Sequence, residues 1–99
     1  AAISATQLFV TSVGTTRVDV YNLPITAASV PAFSITNGVN IPEAAAVDAA
    51  GNLYVGNLGN STVTVYAPQF SAASAPTTTL NVTDGGGGAF QIFSIAIGR

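Results

Sequence analysis

An internal repeat limits what this chain can fold into more than any other feature. Leu8-Phe9-Val10, Gly14, Val18-Asp19-Val20-Tyr21 and Ala27-Ala28-Ser29-Val30-Pro31 return 45 positions later as Leu53-Tyr54-Val55, Gly59, Val63-Thr64-Val65-Tyr66 and Ala72-Ala73-Ser74-Ala75-Pro76. Of the 24 positions aligned between Leu8–Pro31 and Leu53–Pro76, ten are identical, and Phe9/Tyr54, Val13/Leu58 and Thr16/Ser61 exchange like for like. Each copy therefore has to form the same set of elements, and neither copy buries its apolar surface without a neighbour.

The second copy shows what those elements are. Ala44–Asp48 is a short run of small apolar residues, suited to a crowded inner strand. Ala49-Ala50-Gly51-Asn52 turns the chain, Leu53–Asn57 forms a second strand, and Leu58–Ser61 turns it again. Thr62–Tyr66 alternates polar and apolar residues, as a strand with one buried face does, and Thr77–Val82 makes a Thr-rich outer strand. In the first copy the corresponding strands are Gln7–Ser12, Thr16–Tyr21 and Ala32–Thr36. No stretch carries helical periodicity between capping signals. Short strands repeating every 40–50 residues or so mark β-propeller blades. The expected fold is all-β, with two four-stranded antiparallel blades over residues 1–45 and 46–90, and residues 91–99 as an extra inner strand for a neighbouring blade.

Two blades do not close a ring, so completion by oligomerisation or strand exchange is expected. With a gapless offset, Ala1-Ala2-Ile3 falls on Ala46-Val47-Asp48, so the first blade begins partway through its inner strand. The segment containing Phe93, Ile95 and Ile97 supplies the missing strand to the next subunit in this scheme. Three chains would then make a six-bladed homotrimer, and a rotation that fails to close would make a filament.

Charge removes several functions. The only charged side chains are Arg17, Arg99, Asp19, Glu43, Asp48 and Asp84, 6% of the chain against about 25% in an ordinary domain. Two separated arginines do not build the basic patch that nucleic acid requires. The longest apolar runs fall far short of a membrane span. With no Cys and no His, disulfides, thiolate nucleophiles, imidazole bases and the usual zinc ligands are excluded. The low charge, the Thr, Ser and Asn content and the sequons at Asn60 and Asn81 point to an extracellular or cell-surface setting.

The stretch Val47-Asp48-Ala49-Ala50-Gly51-Asn52-Leu53-Tyr54-Val55-Gly56-Asn57, continuing to Asn60-Ser61-Thr62-Val63-Thr64-Val65-Tyr66, resembles the NHL-type repeats of six-bladed propellers and the similar sugar-lactonase-like propellers. The resemblance implies the fold. The first copy departs from it, with Ile3, Thr6 and Gln7 at the places of Asp48, Gly51 and Asn52. Lactonase-like members hold a divalent metal with Glu, Asn and Asp side chains at the axis. The motif maps no such set onto this chain, so no metal, cofactor or catalytic residue is expected. Glu43 and Asp48, near the start of one inner strand, are the candidate carboxylates for a pair that symmetry would bring together from several copies around an axis, while Asp48, Gly51 and Asn52 read more simply as a hydrogen-bonded turn. Asp84 with Gly85–Gly88 lacks the Lys and the helix of a phosphate cradle and reads as a loop. Tyr21 and Tyr66 recur with the repeat, which suits contacts between blades. With Phe93, Ile95 and Ile97 they are the candidate ligand or assembly residues. The leading expectation is a non-enzymatic binding or structural module. The alternatives are a filament subunit, a glycan-binding lectin of two-blade size but without that group's Trp-rich composition, and a lactonase-like hydrolase.

Overall fold

The computed structural model describes residues 2–82 apart from 5 and 13. Among the described residues there are eight strands and no helix: β1 (Ala2–Ile3), β2 (Gln7–Thr11), β3 (Val18–Asn22), β4 (Phe33–Ile35), β5 (Pro42–Val47), β6 (Leu53–Asn57), β7 (Thr62–Tyr66) and β8 (Thr78–Asn81). They form two four-stranded antiparallel sheets with orders β1-β2-β3-β4 and β5-β6-β7-β8, each a simple up-and-down meander. The architecture is all-β with two blade-like sheets.

The most strongly repeated motif is a turn that satisfies its own backbone. In the first copy the Ser29 N–H donates to the Thr26 carbonyl at 3.0 Å, and the Thr26 N–H donates to the Ser29 hydroxyl at 2.8 Å. In the second copy Ser74 and Ser71 make the same reciprocal pair at 3.0 and 2.9 Å. The Ala-Ala-Ser-x-Pro signature thus makes the same self-bonded turn between the third and fourth strands of each sheet. Immediately afterwards Ala32 and Thr77 donate to Val20 and Val65, each at 2.7 Å, and start the outer strands.

The inner strands do not follow the gapless offset. Ala2 and Ile3 stand opposite Phe9 and Leu8, as Ala46 and Val47 stand opposite Tyr54 and Leu53. Ala2-Ile3 is therefore the counterpart of Ala46-Val47, one residue from where the offset places it. The cause is a shorter turn. Ser4 closes it by donating its N–H to the Gln7 carbonyl at 2.8 Å and accepting the Gln7 N–H on its hydroxyl at 3.1 Å, where the second copy spends an extra residue on the Asp48–Asn52 turn. Strand β3 likewise starts at Val18 rather than Thr16, because the Thr15 N–H and hydroxyl both turn back onto the Ser12 carbonyl. Strand β5 extends back to Pro42, with a register shift between Pro42 and Ala44 that bulges the ladder at Glu43.

One hydrophobic core joins the sheets. Phe9, Val18, Val20 and Ile35 from the first sheet cluster with Leu53, Val55 and Tyr66 from the second, and Val39 of the connection between them closes one side. Phe70 meets Phe9 edge-on, with ring centroids 5.0 Å apart.

The repeated glycine serves two different needs. Gly14 has φ +87° and open space where a Cβ would stand, whereas a Cβ on Gly59 would overlap the Asn40 side chain. Gly14→Ala is expected to cost about 1 kcal/mol through the left-handed backbone, and Gly14→Asn to recover most of that, since Asn tolerates this conformation. Gly59→Ala is expected to cost about 2 kcal/mol by overpacking, and Gly59→Asn to be worse. Urea denaturation midpoints of the four variants check both.

Candidate assembly surface

Strand pairing sorts the side chains of each sheet onto two faces, because residues directly opposite in an antiparallel ladder point the same way. In the first sheet Phe9, Val18, Val20, Phe33 and Ile35 share one face, and Leu8, Val10, Asp19, Tyr21 and Ser34 share the other. By the repeat, the first set corresponds to Tyr54, Val63, Val65, Thr78 and Leu80, and the second to Leu53, Val55, Thr64, Tyr66 and Thr79.

The two sheets bury opposite members of this pair. The first covers its Phe9/Val18/Val20/Ile35 face, and the second covers its Leu53/Val55/Thr64/Tyr66 face. Alternation in Thr62–Tyr66 consequently runs against the reading of a buried apolar side: Thr62, Thr64 and Tyr66 are buried, while Val63 and Val65 are half-buried. The reason is that the Thr/Tyr side of β7 faces the interior, where Tyr66 joins the core shared with the first sheet and Thr62 and Thr64 bond the buried Asn57. Equivalent residues then differ sharply in exposure, Ile35 at 0% and Leu80 at 57%.

The polar groups of the covered face are matched. The Tyr66 hydroxyl, fully buried, donates to the Asn37 carbonyl at 2.7 Å, and burial raises its pKa above the ordinary tyrosine value. Asn37 in turn reaches the Ser74 carbonyl at 3.2 Å through its side-chain amide. Asn57, also fully buried, accepts the Asn40 N–H at 3.0 Å and donates to the Thr62 and Thr64 hydroxyls at 3.2 and 3.1 Å. Thr62 passes the chain on to Asn60 at 2.7 Å. The connection is clamped further by Leu58 and Gly59, whose N–H groups donate to Ile41 and Asn40 at 3.0 and 3.2 Å. These bonds hold Ile41 at φ 46°, a conformation disfavoured for a β-branched residue. Among the described residues no buried side-chain nitrogen or oxygen lacks a partner.

The opposite face of the first sheet is more polar. Arg17 donates to Asp19 at 3.0 Å and the Ser34 hydroxyl donates to the same carboxylate oxygen at 2.6 Å. Tyr21 lies half-buried beside them, on the face equivalent to that of Tyr66. Ile3, on this face, is 63% exposed.

Asp48, Gly51 and Asn52 form a turn. The Gly51 N–H donates to the Asp48 carbonyl at 3.0 Å, and Gly51 takes φ +91°, which a side chain would resist. One Asp48 oxygen accepts the Ala50 and Asn52 N–H groups at 3.0 and 2.9 Å. The other accepts the Asn52 side-chain amide at 3.1 Å and the Tyr54 hydroxyl at 2.9 Å. The Asn52 hydrogen bonds lower the Asp48 pKa, and the bond to Asp48 raises that of Tyr54. Glu43 is not beside this carboxylate. It is the second residue of β5 and Asp48 follows the last, so about five residue steps, ~16 Å, separate them. Within one chain the two carboxylates do not converge.

A cleft of about 660 Å³ opens between the two inner hairpin turns, lined by Ser4, Gln7, Asp48, Gly51, Gln69 and Phe70 among others. Its one carboxylate, Asp48, has both oxygens occupied by its own turn, and among the described residues no group of three His, Cys, Asp or Glu converges on a metal-sized site. Phe93, Ile95, Ile97, Asp84 and Gly85–Gly88 lie outside the described residues. Among the described residues no helix is long and apolar enough to cross a membrane. Comparison with protein families, curated proteins and solved structures finds no match for this chain.

The Asn57 network was not singled out by sequence reasoning. Its signal, a Gly-Asn before a turn followed by alternating Thr, is also what an exposed strand end looks like. Asn57→Ala strands the Asn40 N–H in a buried site and is expected to cost about 3 kcal/mol in chemical denaturation. For Asp48 the folded pKa lies below the unfolded one, so its contribution is complete above the ordinary carboxylate range and is lost as pH falls through the depressed value. Denaturation midpoints are expected to drop as pH falls below the ordinary aspartate range, about pH 4, and to drop less in Asp48→Asn.

Proposed function

We propose that this chain is a non-enzymatic structural or binding module of the extracellular space, built from β-propeller-type blades that complete themselves by associating with further copies. The observation that carries the reading is the mismatch between repeat-equivalent residues. Val18, Val20 and Ile35 are fully covered, whereas Leu80 is 57% exposed and Val63 and Val65 are only half-buried. An apolar face that one blade buries fully is, among the described residues, only partly covered in the next, which favours association of that face. The exposed edge strand β8 adds to the drive.

Several further features support a module rather than an enzyme. The cleft holds a single carboxylate already committed to its turn, and the buried polar groups of the interior are paired with one another. Low charge and the exposed asparagines Asn60 and Asn81 agree with an extracellular setting. A trimeric ring of six blades is the closed form of this assembly and a filament the open form.

Light scattering after size exclusion, over a range of loading concentrations, tests the reading. Three times the 9.8 kDa chain mass is expected for the ring. A ladder of much larger species supports the filament instead, and a monomer at every concentration overturns self-association.

A further inference from the structure

We infer that the self-association proposed above, on which this inference rests, is head-to-tail. The Tyr54/Val63/Val65/Leu80 face of one copy seats on the Leu8/Val10/Tyr21 face of the next, repeating between chains the contact that joins the two sheets within one. The partner is a second copy of this chain, and the argument comes from continuity with the internal interface. Inside the chain, a Phe9/Val18/Val20/Ile35 face meets a Leu53/Val55/Thr64/Tyr66 face. Among the described residues the faces left incompletely covered are one of each kind: Leu80, 57% exposed, is the repeat counterpart of Ile35, and Tyr21, half-buried, is the counterpart of Tyr66. A surface that already recognises its complement once in the chain is offered a second time at one end, and the complement is offered at the other.

The hydrogen bonding follows the same rule. Within the chain the Tyr66 hydroxyl donates to the main-chain carbonyl of Asn37. The repeat counterparts are Tyr21 and Val82, so head-to-tail seating brings the Tyr21 hydroxyl of one copy to the Val82 carbonyl of the next. The acceptor is main chain, so the change from Asn to Val does not remove it. One difference separates the two versions of the contact. Arg17, Asp19 and Ser34 stand where the covered face has Thr62, Thr64 and Thr79. Asp19 is already held by Arg17 and Ser34, so seating a neighbour over it does not strand a lone carboxylate, but it still desolvates an ion pair. The contact between chains is therefore the weaker copy of the one within. Because the two faces differ, the contact is heterologous and propagates, either closing by rotation or running on as a filament.

Two single substitutions test this by complementation. Leu80→Lys blocks one face and Val10→Lys the other, each at a position whose repeat counterpart, Ile35 or Val55, is fully buried in the internal contact. Sedimentation equilibrium of the full chain is run at a concentration where the wild type is assembled, with far-ultraviolet circular dichroism confirming that both variants are folded. Should Val10→Lys unfold, Tyr21→Arg blocks the same face. Each variant alone is expected to be monomeric, and an equimolar mixture to form a 1:1 heterodimer that grows no further. If either variant dimerises by itself, like faces pair with like and the head-to-tail assignment is overturned while self-association stands. If both are monomeric and the mixture stays monomeric, the assignment of faces is overturned. A wild type that is monomeric at all concentrations overturns this inference together with the reading beneath it.

Discussion

The stacking of one sheet on the other is the interaction on which the rest of this structure depends. Each meander has four short strands and an apolar face that only a packed neighbour removes from water. Stacking covers Phe9, Val18, Val20 and Ile35 with Leu53, Val55 and Tyr66, each side chain worth about 1.5–3 kcal/mol when removed from water. The connection through Asn37 and Asn40 contributes hydrogen bonds to this contact as well as covalent continuity. The strained Ile41 is the local cost of that path.

Stacking also breaks the equivalence of the two copies. A repeat unit placed on its neighbour shows that neighbour a different face from the one it shows the unit before it, so identical residues meet different surroundings. Tyr66 is sealed between sheets while Tyr21 is half-buried, and the recurring glycine serves backbone conformation at Gly14 and close approach at Gly59. Chemical differences between the copies track this. The covered face holds Thr62, Thr64 and Asn57, whose hydroxyls and amide satisfy one another, whereas the half-buried counterpart in the first sheet holds Arg17 and Asp19.

Much of the local structure was legible in the chain. The Asp-x-x-Gly-Asn turn and the β-branched runs each act over a few residues, through local bonds and local propensity, whereas the Ala-Ala-Ser-x-Pro stretch showed its repetition and not the turn it makes. The inner strand of the first copy was misplaced by one residue because a gapless alignment cannot see that Ser4 closes a shorter turn than Asp48 does. Glu43 and Asp48 are near in sequence but sit toward opposite ends of an extended strand, so within one chain they stay apart.

By itself the sequence determined the all-β class, the number of strands per copy and the chemistry of the turns, because strand propensity, alternation and turn hydrogen bonding are local. It also determined that thiol and imidazole chemistry are absent, because the residues are absent. Only the tertiary structure decided which face of each sheet is covered. The Val63/Val65 side of β7 reads as the buried one by hydropathy, yet the Thr/Tyr side lies inside. Alternation tells that a strand has two unlike faces, but the neighbour chooses between them, and the neighbour here is set by how the second sheet docks on the first through contacts from residues far apart in the chain.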